Sequence, residues 1–279
     1  VFIKEIVVQS VPQYMQAIID LNDERNTLTG SVYRGQSNSN WSISSGLSRV
    51  SKNAPSSDLL GRARNAFKIF DAERHGYYAL TNNSPWDVLA LAQHYGLPTR
   101  LLDWSHSPMV ALFFALDGVR FKRQSLAELS SEIRNSPVRQ IIRKGDVVAL
   151  PEHDAAVYMI PHSSTEGSAP WCSAKDLPAD VFAKVNDAES HGYCFYNPDV
   201  TSGRLKNQGG LFSIGVNPFD EFPSKSAYKI IIQKECIAEM YSNLVMMNVG
   251  AKLVYGELEG LCKDLTFRNF GGFNQRCYD

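Results

Sequence analysis

The chain has 279 residues, 44% of them hydrophobic and 20% charged, with a formal net charge of −1. That is ample for a buried core in one large domain or two small ones, and no global basic field points to nucleic acid. The five cysteines show no C-x-x-C spacing and the six histidines no H-E-x-x-H pattern, so neither a disulfide framework nor a zinc site is expected.

The opening Val1–Val8 segment lacks the basic, apolar and small-residue order of a signal peptide and reads as a first strand. The longest apolar run, near 109–116, is too short to span a bilayer. The expected location is therefore cytoplasmic, with no membrane partner. Ser10 caps an amphipathic helix that runs to about Asn22, and Ser31–Gln36 and Trp41–Ile43 read as short strands. Leu59, Ala63, Ala66, Phe67 and Phe70 suit a helix between Ser57 and Arg74 with one buried face.

Ser84-Pro85-Trp86-Asp87 supplies an N-cap, a proline at the first helical position and an acid in the first turn. Gly96 and Pro98 stop that helix. Ser107-Pro108 starts another, apolar all round over Met109–Leu116 and hence buried. Residues 96–107 between them are expected to be a loop. The span 119–144 reads as a polar insertion carrying a surface helix from Ser125, and 162–190 as a long loop. Strands follow at Asp146–Leu150, Ala156–Ile160, Tyr193–Tyr196, Gly210–Ile214 and Tyr228–Ile232. A helix over 234–247 and a last strand at Lys252–Tyr255 complete the pattern. No linker divides the chain, so a single α+β domain is expected over 1–279, with helices early and a mainly antiparallel sheet later.

Chemistry concentrates in a few places. Arg34 sits in a strand beside Gly35, where its planar fork suits a phosphate or an ordinary ion pair. Gln93, His94 and Tyr95 end a helix, and Thr99, Arg100 and Asp103 follow the turn. They read either as a binding site, with Arg100 for an anion, or as a structural knot in which Asp103 and Trp104 are mostly structural. Arg204 and Gln208 precede the Gly209-Gly210 pair, which is an ordinary turn or a close approach of backbone to ligand. Glu257 and Glu259 share one face within about 7 Å if extended, or else open a helix at its positive dipole end. No phosphate-loop, dinucleotide-fold or nucleophile-elbow motif occurs.

Several of these pieces, in order, resemble the FRG domain, a bacterial family named for its Phe/Tyr-Arg-Gly element. They are Val32-Tyr33-Arg34-Gly35-Gln36, Trp41 with Ser45-Gly46-Leu47-Ser48-Arg49, and the Ala92–Ser105 stretch. Arg204 with Gln208-Gly-Gly-Leu-Phe212 and the closing Leu253–Leu261 segment complete the set. The family's Pro and Ser stand as Ser45 and Gly46 here. A weaker similarity, in residue order alone, is to ADP-ribosyltransferases, with an early strand arginine, an aromatic-His loop and a late Glu-x-Glu. A clear Ser-Thr-Ser segment is missing.

These resemblances imply NAD as substrate, with Glu259, Glu257 and His94 catalytic. Arg34, Gln36, Gln93, Tyr95, Thr99, Arg100, Arg204 and Gln208 would then bind it. The implied function is ADP-ribosyl transfer or NAD cleavage in bacterial toxin or phage-defence biology. A nucleic-acid or protein acceptor and an antitoxin or immunity partner belong to that expectation. Two alternatives stay open: a nucleotide- or nucleic-acid-binding module without catalysis, and a metal-dependent nuclease.

Overall fold

The computed structural model describes residues 2–24, 30–53, 58–77, 84–129, 142–161, 168–199 and 208–279. In chain order, the first part runs β1 (Glu5–Val8), α1 (Val11–Glu24), β2 (Val32–Gln36), α2 (Gly46–Asn53), α3 (Leu59–Glu73), α4 (Pro85–His94), β3 (Leu101–Ser105) and α5 (Pro108–Asp117). Next come β4 (Phe121–Ser125), β5 (Ile142–Lys144), β6 (Val147–Leu150), β7 (Ala155–Ile160), β8 (Trp171–Cys172), β9 (Tyr193–Tyr196), β10 (Gly210–Gly215) and β11 (Tyr228–Ile232). The chain closes with α6 (Ile237–Met246), α7 (Ala251–Tyr255), α8 (Glu257–Asn269) and β12 (Cys277–Tyr278).

The main sheet has the order β1-β11-β7-β2-β3-β10-β9-β8, and a small sheet has the order β12-β4-β6-β5. The pairs within the main sheet are antiparallel except β1–β11 and β8–β9, which are parallel. This is an α+β fold.

Both serine caps form. Ser84 Oγ accepts from the Asp87 amide at 3.2 Å, and Ser107 Oγ from the Val110 amide at 3.3 Å. Helix α5 is buried at Val110, Leu112 and Phe113 and half-buried at Phe114. It lies across β2 and β7, where Tyr33, Val157 and Met159 join its side chains in one core with α1 and α6. A second core joins Trp86, Leu89 and Ala90 of α4 to Leu101, Tyr196, Phe212 and Ile214.

Three expectations are corrected. The 96–107 segment is not all loop. Its residues 101–105 form β3 in the middle of the sheet, because Leu101, Leu102 and Trp104 are buried and β10 pairs with all five residues. Burial on both faces erased the alternation that would have marked a strand. The Lys252–Tyr255 strand is helix α7 instead, where the Val254 amide reaches the Gly250 carbonyl at 3.0 Å. The strand at Trp41–Ile43 reduces to a single bridge between Ser44 and Glu221. Ser125 caps a short 3-10 turn over Leu126–Glu128, and the remainder of the expected surface helix lies outside the described residues.

Candidate functional site

The site begins where the sheet parts. Strand β2 pairs with β7 over all five of its residues, but with β3 only through Tyr33 and Ser105. Continuing that register would set Gly35 opposite Asp103. Instead β2 and β3 separate beyond Tyr33, and a cleft of about 860 Å³ opens there. Its walls come from β2 (Arg34, Gly35, Gln36), α2 (Arg49, Lys52, Asn53), α4 (Gln93, His94), β3 (Asp103, Trp104) and α5 (Phe114), with Trp41 and Gln208 at its edges. That volume suits a nucleotide-sized ligand.

Strand alternation turns Tyr33 and Gly35 toward α5 and Arg34 the other way. Arg34 Nη1 donates to the Asp103 carbonyl at 2.7 Å and lies 3.8 Å from Asp103 Oδ2. The Arg34 side chain is 14% exposed and its Nε has no hydrogen-bond partner among the described residues. Burial lowers its pKa and Arg49 pushes in the same direction, while Asp103 opposes them. Two guanidinium groups near one carboxylate leave positive charge that a bound anion would relieve. Three cations (Arg34, Arg49, Lys52) and one carboxylate (Asp103) line the cleft among the described residues. Lys52 is paired at the edge with Glu221.

Gln93 is the centre of a short relay. The Leu101 amide donates to Thr99 Oγ1 at 3.1 Å, the Thr99 hydroxyl donates to Gln93 Oε1, and Gln93 Nε2 donates to Asp103 Oδ1 at 2.8 Å. A carboxylate only accepts, so the amide cannot turn over. Gln36 Nε2 donates to the Ser42 carbonyl at 3.2 Å. Gln208 Nε2 donates to the Val254 carbonyl at 3.1 Å, and its own carbonyl accepts from Ser105 Oγ at 2.5 Å.

Of the residues proposed from sequence, Arg34, Gln36, Gln93, His94 and Gln208 line the cleft, and Thr99 stands behind Gln93. Tyr95 is 63% exposed and does not line it. Arg100 is turned into the protein. It donates to the carbonyls of Val181, Ala183, Gly215 and Val216 and packs over Trp86, and burial lowers its pKa to about 10. Its fork closes a structural joint between these carbonyls and does not pair with Asp103. Glu257 and Glu259 sit in the first turn of α8, outside the cleft wall, with Glu259 2.9 Å from Lys263. The extended arrangement on one strand face does not form, because Gly256 at φ 63° starts the helix. Arg204 lies outside the described residues. Among the described residues, no three His, Cys, Asp or Glu side chains gather into a metal-binding group.

Sequence reasoning passed over Lys52 and Phe114, whereas Arg49 already belongs to the resembling Ser45–Arg49 element. Asp103 was assigned to structure, yet its side chain is 64% exposed in the cleft. Its exposed place among Leu101, Leu102 and Trp104 was the available signal, hidden while β3 was taken for a loop.

The main sheet thus parts at a cleft with cationic and aromatic walls. Residues 29–124 match the family model of the FRG domain, and this part of the chain is an FRG domain. The match contains every cleft residue from Tyr33 to Phe114, whereas Gln208 and Phe212 come from outside it. No curated protein and no solved structure gives a significant match to the chain.

Proposed function

We propose that the cleft binds a nucleotide, with NAD the first candidate. The observation that carries this reading is the charge of the walls. Arg34 and Arg49 face one carboxylate, Asp103, in a chain whose net charge is −1, and Lys52 is paired with Glu221, so a net positive charge is local to the cleft. Arg34 and Arg49 would take phosphate oxygens, since guanidinium forks match that geometry. Trp41, 56% exposed, and Phe114 offer faces for a base or a nicotinamide ring.

The weaker similarity to ADP-ribosyltransferases adds chemistry to this binding. In that version the bound NAD is cleaved or its ADP-ribose is transferred, to a nucleic-acid or protein acceptor, as a bacterial toxin or phage-defence effector held in check by a partner. Binding without catalysis is the simpler version. Calorimetric titration with NAD, ADP-ribose and ATP separates the binding reading from its rejection. Saturable heat with at least one of them is expected, lost as salt rises. Absence of saturation with all three would reject a nucleotide cleft.

A further inference from the structure

The cleft has a second chamber. A cavity of about 550 Å³, lined by Gly96, Leu97, Pro98 and Leu102, shares Arg34, Arg49, Gln93 and Asp103 with the first. A substrate lying across both chambers therefore presents the bond between its two parts to these shared residues. Among them the carboxylate is Asp103. Its side chain is well exposed for a group so tightly held, with Oδ1 fixed by Gln93 and Oδ2 3.8 Å from Arg34. The Thr99–Gln93 relay ends on Asp103 Oδ1 and so orients this carboxylate.

We propose that Asp103 is the catalytic carboxylate for cleavage of the N-glycosidic bond of a nicotinamide dinucleotide, and that Gln93 is its positioning residue. This assignment rests on the nucleotide-binding reading. The bond from ribose C1′ to the nicotinamide nitrogen breaks, and its electron pair leaves with nicotinamide, which departs neutral. Positive charge develops on C1′ and the ring oxygen, facing a carboxylate already held in place. Such preorganised charge acts most strongly where charge develops. A water oxygen then bonds to C1′, and its proton passes to Asp103 and on to solvent. NAD and water become ADP-ribose, nicotinamide and a proton. A hydroxyl or amine acceptor in place of water makes the same step a transfer.

The test measures NAD binding by calorimetry and nicotinamide release in parallel, with water alone and with DNA, RNA or lysate protein added. Asp103→Asn keeps an acceptor for Gln93. It is expected to bind NAD within about threefold of wild type while losing turnover by about 10²–10⁴-fold. Asp103→Glu should recover part of that loss. Gln93→Ala should lower kcat more than KM and move the acid limb of the pH–rate profile, a limb that a purely structural role leaves in place. Melting temperatures confirm that each variant is folded. Wild-type protein that binds NAD and releases no nicotinamide under any condition overturns this assignment and leaves the binding reading intact. Failure to bind NAD overturns this assignment, and the nucleotide reading falls with it only if ADP-ribose and ATP also fail to bind. Full turnover by Asp103→Asn, or loss of turnover in Glu259→Gln alone, also overturns it.

Discussion

Gly35 lies directly against the Ala111 carbonyl. A Cβ at residue 35 would stand 2.0 Å from that oxygen and 2.5 Å from the Ala115 amide nitrogen. The contact is backbone to backbone, so neither side can yield without moving α5 off the sheet. Gly35→Ala should therefore destabilise by about 3 kcal/mol, toward the upper end for overpacking. The urea midpoint measures it. A variant with wild-type stability would show that α5 does not sit this close to β2. The glycine of the Tyr-Arg-Gly element thus shapes the cleft by letting α5 form its wall, while the neighbouring arginine meets its contents.

Arg34→Ala should weaken nucleotide binding by about 1.5–3 kcal/mol, the worth of a charge-assisted contact to phosphate. Arg34→Lys should restore only part, because a lysine ammonium lacks the second tine of the fork. The comparison is calorimetric, at fixed salt. Equal affinity in all three proteins would place the phosphates elsewhere in the cleft.

Arg100→Ala should fail differently. It removes the donors to four carbonyls in the joint between residues 181–183 and 215–216. Stability should drop by about 3 kcal/mol or more, since the lost bonds involve a charged donor and leave acceptors unpaired. Any loss of ligand affinity should track the unfolded fraction. A folded Arg100→Ala protein with weakened binding would return this residue to the site.

The C-terminal segment is tied to α5 through Asp117. Its Oδ1 accepts from Tyr241 at 3.0 Å and from Arg276 at 2.7 Å, and its Oδ2 accepts from Tyr255 at 2.8 Å. The Arg276 guanidinium also covers the Tyr241 ring at 4.5 Å. Both charged side chains are mostly buried, so Arg276→Ala strands a carboxylate and should cost about 2–3 kcal/mol. Arg276→Ala combined with Asp117→Asn should cost less than the two changes summed. Strict additivity in a double-mutant cycle would deny the coupling.

His106 supplies a pH signature. It stacks on Trp171 with ring centroids 6.3 Å apart, and partial desolvation of this surface ring lowers its pKa below the usual 6.5. The unfolded chain then takes up the proton first as pH falls. This contribution to stability is full above pH 6.5 and shrinks as pH drops toward the folded-state value. Ring-proton NMR titration should place His106 below 6.5, and His106→Asn should flatten stability over that interval. A folded-state pKa at or above 6.5 would reverse the sign.

Much of the frame was legible in the sequence. Ser84-Pro85 and Ser107-Pro108 announce two helix starts through local capping, which depends only on neighbours a few residues away. The apolar surround of Met109–Leu116 demanded burial wherever the helix lay. The Tyr33-Arg34-Gly35 strand, the Gln93-His94 pair and Gln208 were also singled out, and all six residues contribute to the cleft wall.

Tertiary structure alone decided the rest. The Leu101–Ser105 strand is set by pairing with residues more than a hundred positions away, and no local period records a partner at that distance. Arg34 and Arg100 are equally polar in sequence. One meets a gap between strands and the other meets four carbonyls, so their fates diverge through surroundings that the chain assembles only on folding. The carboxylates divide in the same way. Glu257 and Glu259 are carried onto a helix by the turn at Gly256, while Asp103 is left at the edge of a sheet that parts beside it. Local sequence determines caps, helix faces and the supply of polar groups. Which of those groups face a common cavity is set by long-range strand pairing.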